Sequence, residues 1–296
     1  MTKTFPGRSV PAIEGIDLEV RDGEILGLVG LNGAGKTTTI RVAVGLARPT
    51  DGSVEVDGRD LVHDKAHASE RVGWVPELFP YDPSARALPL LVYYAGFNGL
   101  TGALARNHAR DLLAEVGLAT VANDRIRTFS QGMKKRFGLA TAMLTEPPNL
   151  LLDEVLNGLD PEGIAFVRAW VLDQKREHKA VLLSSHLLGE LEAIADRVAF
   201  VHRGHLIRTV GRADLAQAAG TMVRITIDNL DPAGLEYLRS LGTVREEGRA
   251  ILLANPTSEA SEINAELVRR GYRVAELRVE GSSLEAYFFQ LLETAE

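Results

Sequence analysis

An α/β fold with a largely parallel sheet, followed by a smaller α+β domain, is predicted by three features of this 296-residue chain. Over residues 1–210, short apolar runs alternate with helical patterns, the rhythm of strands joined by crossover helices. Between 77 and 144 the strand signal stops and helical periodicity takes over, which predicts an all-helical insertion at about 77–145. Beyond the first domain the order becomes strand, helix, strand, helix, strand, with a final amphipathic helix. The expected division is therefore 1–215 and 216–296, in keeping with roughly 100–200 residues per domain.

Taken along the chain, strands are predicted at 24–29, 54–56, 71–75, 150–152, 181–184 and 198–201, each a short apolar run. Residues 198–210 read as a hairpin turning at Arg203 and Gly204. In the insertion, helices are expected at 88–97, 107–116 and 132–144. The second domain should hold strands at 222–227, 250–253 and 272–279 and helices at 232–241, 258–270 and 283–292.

Composition narrows the class. With 45% hydrophobic and 25% charged residues the chain is an ordinary globular protein, and with no cysteine it can form neither disulfides nor thiolate metal sites. Residues 1–10 lack the apolar core of a secretory signal, so a cytoplasmic location is expected. Residues 87–105 are uncharged, but Pro89, Gly96, Asn98, Gly99 and Gly102 break them into a helix and a turn rather than a membrane span. The net charge of −7 leaves no basic excess of the kind that phosphate-backbone binding needs, so no nucleic-acid partner is expected.

The chemistry starts at Gly30, Leu31, Asn32, Gly33, Ala34, Gly35, Lys36, Thr37 and Thr38, which fit G-x-x-x-x-G-K-[ST] between a predicted strand and a helix. Glycines allow the backbone to wrap a phosphate chain, and successive N–H groups with the helix N-terminus face the anion. Lys36 would reach the outer phosphates, and Thr37 would ligand Mg²⁺. The apolar run at 150–152 ends in Asp153 and Glu154, two carboxylates at a strand's C-terminal edge, where α/β sheets bind ligands. One can hold the cation, and the other can act as base toward an attacking water. The strand at 181–184 leads to His186 at the same edge. A histidine there is often structural, but the shared edge favours contact with the terminal phosphate or the water.

Together with Phe129, Ser130, Gln131, Gly132, Met133, Lys134, Lys135 and Arg136, these residues resemble the ATP-binding subunits of ABC transporters over about 2–210. The resemblance implies a P-loop ATPase with a small antiparallel β subdomain beside the core sheet. It implies that Phe5 stacks on adenine, although simple packing is the alternative. Glu77 stands at the place of a glutamine sensor, Asn157 to Asp160 match the family's D-loop with Asp160 near the nucleotide, and His186 matches its switch histidine. Ser130 and Gly132, at a helix N-terminus, would close on ATP held by a second subunit, so a homodimer or a pair of related ATPases is implied. Because no span is predicted, a separate membrane permease becomes the obligatory partner, and the location becomes peripheral on the inner face of the membrane.

Departures from the family are Glu77 for Gln, Gln131 for Gly, Val155 for Pro, and Leu156 with Asn157 for Thr-Ser. The strand that commonly precedes Phe5 is missing, which implies a short antiparallel edge or a start further upstream. Glu77 and the Ser-x-Gly-Met variant resemble the branch that exports antibiotics, sodium or polysaccharides, as does the segment Leu284, Glu285, Ala286, Tyr287, Phe288. Glu77 is expected as a metal-linked sensor and Glu154 as the sole base; alternatively, Glu77 only caps the segment after Pro76. A soluble ABC ATPase acting on DNA or ribosomes is the rival function. A GTPase is disfavoured because Gly158 stands where N-K-x-D needs lysine. His202 and His205, spaced like metal ligands, are read as a surface hairpin pair.

Overall fold

The computed structural model describes residues 1–212, 214, 221–280 and 284–294. Two compact units are present, Met1–Thr209 and Val210–Glu296. The expected boundary at 215–216 and the start of the last helix at Ser283 lie outside the described residues.

The first unit is built on a six-stranded sheet. Its strands are β1 (Ile25–Val29), β4 (Val72–Val75), β5 (Asn149–Asp153), β6 (Ala180–Ser184), β7 (Arg197–His202) and β8 (His205–Gly211), in the order β4-β5-β6-β1-β7-β8. The pairs β4–β5, β5–β6, β6–β1 and β1–β7 are all parallel. Strands covered on both faces read as continuous apolar runs, and every residue of β1 and β6 is buried. Register pairs Asp153 with Ser184 and Leu28 with Ser184. Parallel pairing at that level brings the ends of β5, β6 and β1 to one edge, so three segments far apart in sequence open onto the same space. Trp74 of β4 pairs with Leu151 of β5, and its indole N–H is buried with no hydrogen-bond partner.

Helix α1 (Lys36–Ala43) follows β1, and the antiparallel pair β2 (Glu55–Val56) and β3 (Arg59–Asp60) leads into α2 (Lys65–Glu70). The small antiparallel subdomain implied by resemblance is, among the described residues, only this ladder with isolated bridges such as Thr2–Asp51 and Lys3–Ile13. Polar residues and turn-formers at 4–9, 14–17 and 21–23 interrupt longer pairing.

The insertion is helical, as its periodicity predicts: α3 (Ala87–Phe97), α4 (Gly102–Glu115) and α5 (Gln131–Ala142). Pro89 sits in the first turn of α3, where an N–H has no intrahelical partner to lose. An aromatic series enters the insertion from the end of β4. Phe79 stacks on Tyr81 at 5.0 Å, Tyr81 meets Phe137 edge-on at 5.0 Å, and Tyr93 meets Phe97 at 5.1 Å. Gly138 of α5 is the seat of Phe79, since a Cβ there would lie 2.2 Å from the ring. Helices α6 (Pro161–Arg176) and α7 (Leu188–Ile194) complete the unit. No described helix is long and apolar enough to cross a membrane.

The second unit contains β9 (Met222–Ile227), α8 (Pro232–Leu241), β10 (Thr243–Glu247), β11 (Ala250–Ala254), α9 (Ala260–Arg269), β12 (Val274–Glu280) and α10 (Leu284–Thr294). Its antiparallel sheet runs β10-β11-β9-β12, a split β-α-β arrangement. Val223, Ile225, Ile251 and Leu253 pack with Leu238, Ile263 and Leu267 of the two helices. Strand β10 was not expected from sequence. It is an edge strand, Thr-Val-Arg-Glu-Glu, with only part of its surface buried and no apolar run to reveal it.

Gly73 in β4 fixes how close α5 approaches the sheet, because a Cβ there would meet the Ala142 carbonyl oxygen at 2.5 Å and the Leu150 side chain at 2.8 Å. Gly73→Ala is expected to destabilise the first unit by about 1–3 kcal/mol through overpacking against backbone that cannot yield. Thermal unfolding measures it, and an unchanged midpoint would contradict this packing.

Candidate functional site

The loop between β1 and α1 has a fixed shape for local reasons. At Gly30 a Cβ would lie 2.4 Å from the Val201 carbonyl, while Gly33 and Gly35 have φ of 82° and 111°, the left-handed region that favours glycine. Helix α1 then begins at Lys36 with no side chain capping its first N–H groups, and Lys36, Thr37 and Thr38 line the cavity, an arrangement suited to an anion. The cavity has a volume of about 1140 Å³ and is lined by Phe5, Asn32, Gly33, Ala34, Gly35, Lys36, Thr37, Thr38, Glu77 and Glu154, among others.

Its floor is a buried polar network. Asp153, 1% exposed, accepts hydrogen bonds from the Ser184 hydroxyl at 2.7 Å and the Thr37 hydroxyl at 3.3 Å. The Ser184 Oγ also accepts the Glu154 backbone N–H at 3.0 Å. One hydroxyl, donating once and accepting once, thus ties the two carboxylate residues to β6. Glu154 has φ 49°, a left-handed conformation uncommon for a residue with a side chain. Its Oε1 lies 3.2 Å from the Lys36 Nζ, with both side chains 6% exposed, and its Oε2 lies 3.1 Å from the His186 Nδ1. Lys36 also donates to the Gly30 carbonyl at 2.7 Å. The ammonium expected to meet phosphate is here satisfied by a carboxylate and a carbonyl, so an incoming anion replaces ligands that are already in place.

The expected residues separate into two groups. The residues of the glycine loop, Phe5, Glu77 and Glu154 face one cavity, Asp153 lies beneath it, and His186 reaches it through Glu154. The ring centroid of Phe5 lies 5.3 Å from the Lys3 ammonium. Ser130, Gly132 and Asp160 do not line the cavity. Ser130 caps α5 by accepting the Met133 N–H at 3.2 Å, and Asp160 caps α6 by accepting the Gly163 N–H at 2.8 Å. Sequence reasoning missed Ser184, whose only signal is its place at the end of β6, and Arg8, Arg41 and Arg203, which line the cavity.

The donor set fits Mg²⁺. A hydroxyl and a carboxylate converge at the floor as hard oxygen ligands, and one or two protein ligands completed by phosphate and water are what this ion prefers. Among the described residues, no three His, Asp or Glu side chains form a metal cage.

The sequence profile described as "ABC transporter" matches residues 13–157. The linearmycin resistance ATP-binding protein LnrL of Bacillus subtilis is 30% identical over 94% of this chain and 93% of its own length. The bacitracin transport ATP-binding protein BcrA of Bacillus licheniformis is 30% identical over 99% and 95%. A solved structure described as the ATP-binding subunit of an ABC transporter superposes with a TM-score of 0.65 at 28% identity, covering 73% of this chain and 89% of that one.

Glu154→Gln is expected to lower ATP turnover by about 10²–10⁴-fold through loss of a general base, and Glu77→Gln by less than about tenfold with a shifted Mg²⁺ dependence. Parallel Mg²⁺ titrations of both variants measure this. Equal collapse in the two variants would mean that the base is misassigned, and a Glu77→Gln curve identical to wild type would leave Glu77 without a metal role.

Proposed function

The chain belongs to the ABC transporter family of ATP-binding subunits, and we propose from that premise that it drives export, as antibiotic-resistance relatives do, through a separate membrane permease. It is an ATP-binding, ATP-hydrolysing subunit of a transporter. The observation that carries the mechanism is the convergence of Lys36, Asp153, Glu154 and His186 at one sheet edge beside a loop shaped for phosphates. Export is supported by relatives named for linearmycin resistance and bacitracin transport, which match this chain over nearly its whole length. The same matches disfavour a soluble ATPase of nucleic acid or ribosomes.

In this mechanism the backbone N–H groups of 32–38 receive the phosphates of ATP, and Lys36 leaves Glu154 for the terminal ones. The freed Glu154 carboxylate takes a proton from water as its oxygen attacks the γ phosphorus, and ADP departs. His186 orients that carboxylate or the water from its neighbouring position. Thr37 and Asp153 would hold Mg²⁺, which supplies charge neutralisation when bound, and Glu77 is placed to sense it. Phe5 at the cavity wall would stack on adenine.

Members of this family act with membrane permeases and as dimers. Ser130 and Gly132 lie outside their own chain's cavity, which favours their service to ATP held by a second copy or a closely related subunit, with Asp160 nearby. The permease seat is assigned to α3, where Tyr93 and Phe97 are 62% and 73% exposed while their aromatic neighbours lead back toward Glu77. The protein would thus sit peripherally on the inner membrane face.

Deletion of the gene is expected to sensitise its host to an antibiotic panel that includes bacitracin and linearmycin. Wild type should restore tolerance, and neither Glu154→Gln nor Tyr93→Asp/Phe97→Asp should, although the latter keeps normal turnover in the purified protein. Full rescue by Glu154→Gln would refute a hydrolysis-driven exporter, and full rescue by the double variant would refute the α3 seat.

A further inference from the structure

Lys135 lies six positions into the segment that opens with Phe129, on α5, and its side chain leaves that helix for the site. It is 6% exposed. Its Nζ donates to the backbone carbonyl of Glu77 at 2.7 Å and to that of Glu154 at 3.2 Å. A buried ammonium needs partners, and here the partners are two carbonyls rather than a carboxylate. Burial lowers its pKa from the usual lysine range, while the negative charges of Glu77, Asp153 and Glu154 oppose that fall and favour the charged form. The Phe79 ring, 5.6 Å away, covers it.

Both acceptors follow directly from the adjacent parallel strands β4 and β5, which pair Val75 with Leu152. One ammonium therefore joins three pieces: the helix that begins at Ser130, the loop that carries Glu77, and the loop that carries Glu154. The effect is sharpest at Glu154, whose left-handed backbone persists only where its surroundings over-determine it. Ser184 holds its N–H, and Lys135, with the Asn157 N–H at 3.1 Å, holds its C=O.

We propose that Lys135 is a positioning residue for hydrolysis: it fixes the Glu154 peptide so that the carboxylate meets the attacking water, and it makes that geometry depend on the placement of α5. The same tie holds the peptide of Glu77. The proposal rests on Glu154 being the base. Displacement of α5 by a bound partner moves an ammonium that is bonded to the base's own backbone, so the helical insertion and the chemistry are linked within one chain by two hydrogen bonds.

The test compares Lys135→Met and Lys135→Arg in the full chain, each alone and with Glu154→Gln, by steady-state turnover, fluorescent-nucleotide binding and thermal unfolding. Lys135→Met keeps the buried stem and removes the donors. It should lower kcat by about tenfold to a hundredfold, the scale of a small misplacement of a reacting group. Nucleotide affinity should stay within about threefold of wild type, because uniform binding is untouched. Lys135→Arg, which keeps charge and donors, should recover most of the loss. In the Glu154→Gln background, Lys135→Met should add no further loss to single-turnover hydrolysis. Wild-type kcat in Lys135→Met, a change confined to KM, or an equal further loss in the Glu154→Gln background would each overturn the proposal. If Lys135→Met does not fold, Lys135→Gln takes its place, and failure of Lys135→Arg to exceed it in turnover counts against the proposal. Normal turnover in Glu154→Gln alone would remove the base assignment and this proposal with it, whereas impaired Glu154→Gln beside unaffected Lys135 variants removes this proposal only.

Discussion

A carboxylate taken out of water must be given hydrogen bonds, and Asp153 receives them from Thr37 and Ser184. Most of the site follows from that need. Thr37 belongs to the first turn of α1, so its bond to Asp153 holds the glycine loop against β5. Ser184 ends β6, and because its oxygen also accepts from Glu154, the same bond sets where the second carboxylate emerges. The parallel order β5-β6-β1 is what allows these groups to meet, since antiparallel neighbours would send alternate strand ends to opposite edges.

Charge is balanced at short range within this site. Lys36 and Glu154 neutralise one another at 3.2 Å with little exposure, and neither is left alone in a medium of low dielectric. Lys135 satisfies itself on the backbone carbonyls of Glu77 and of Glu154 itself. The two lysines therefore hold Glu154 at different points, one at its side chain and one at its peptide.

Strands with an unbroken apolar run, such as β1 and β6, were legible in the sequence because burial on both faces admits little else. The glycine loop was legible because its residues answer a steric demand, seen at Gly30 and Gly35. Strand β10 was not, since an edge strand carrying Arg245, Glu246 and Glu247 has no need of an apolar pattern. In the 55–70 segment β2 answers to the strand expected at 54–56, whereas the two-residue β3 and the short α2 offer too few residues for any period to emerge. In the site, motif spacing named residues without showing their bonds. A bond from Lys135 to two carbonyls leaves no trace in sequence, because any residue supplies a carbonyl. Ser184 was hidden for a related reason, as its side chain looks like ordinary strand-end polarity until register sets it between Asp153 and the Glu154 N–H.

The chain has two tryptophans. Trp74 lies in register with Leu151, two residues before Asp153 and three before Glu77 in the two strands that feed the site, and its indole nitrogen is buried without a partner. Trp170 sits on α6, its indole donating to Glu115 at 3.0 Å. Indole emission responds to local polarity and hydrogen bonding, so the protein carries an intrinsic optical gauge beside the loop that bears Glu77 and a second fluorophore in a different, hydrogen-bonded setting. Rearrangement of β4 can thus be followed in real time on the unlabelled chain.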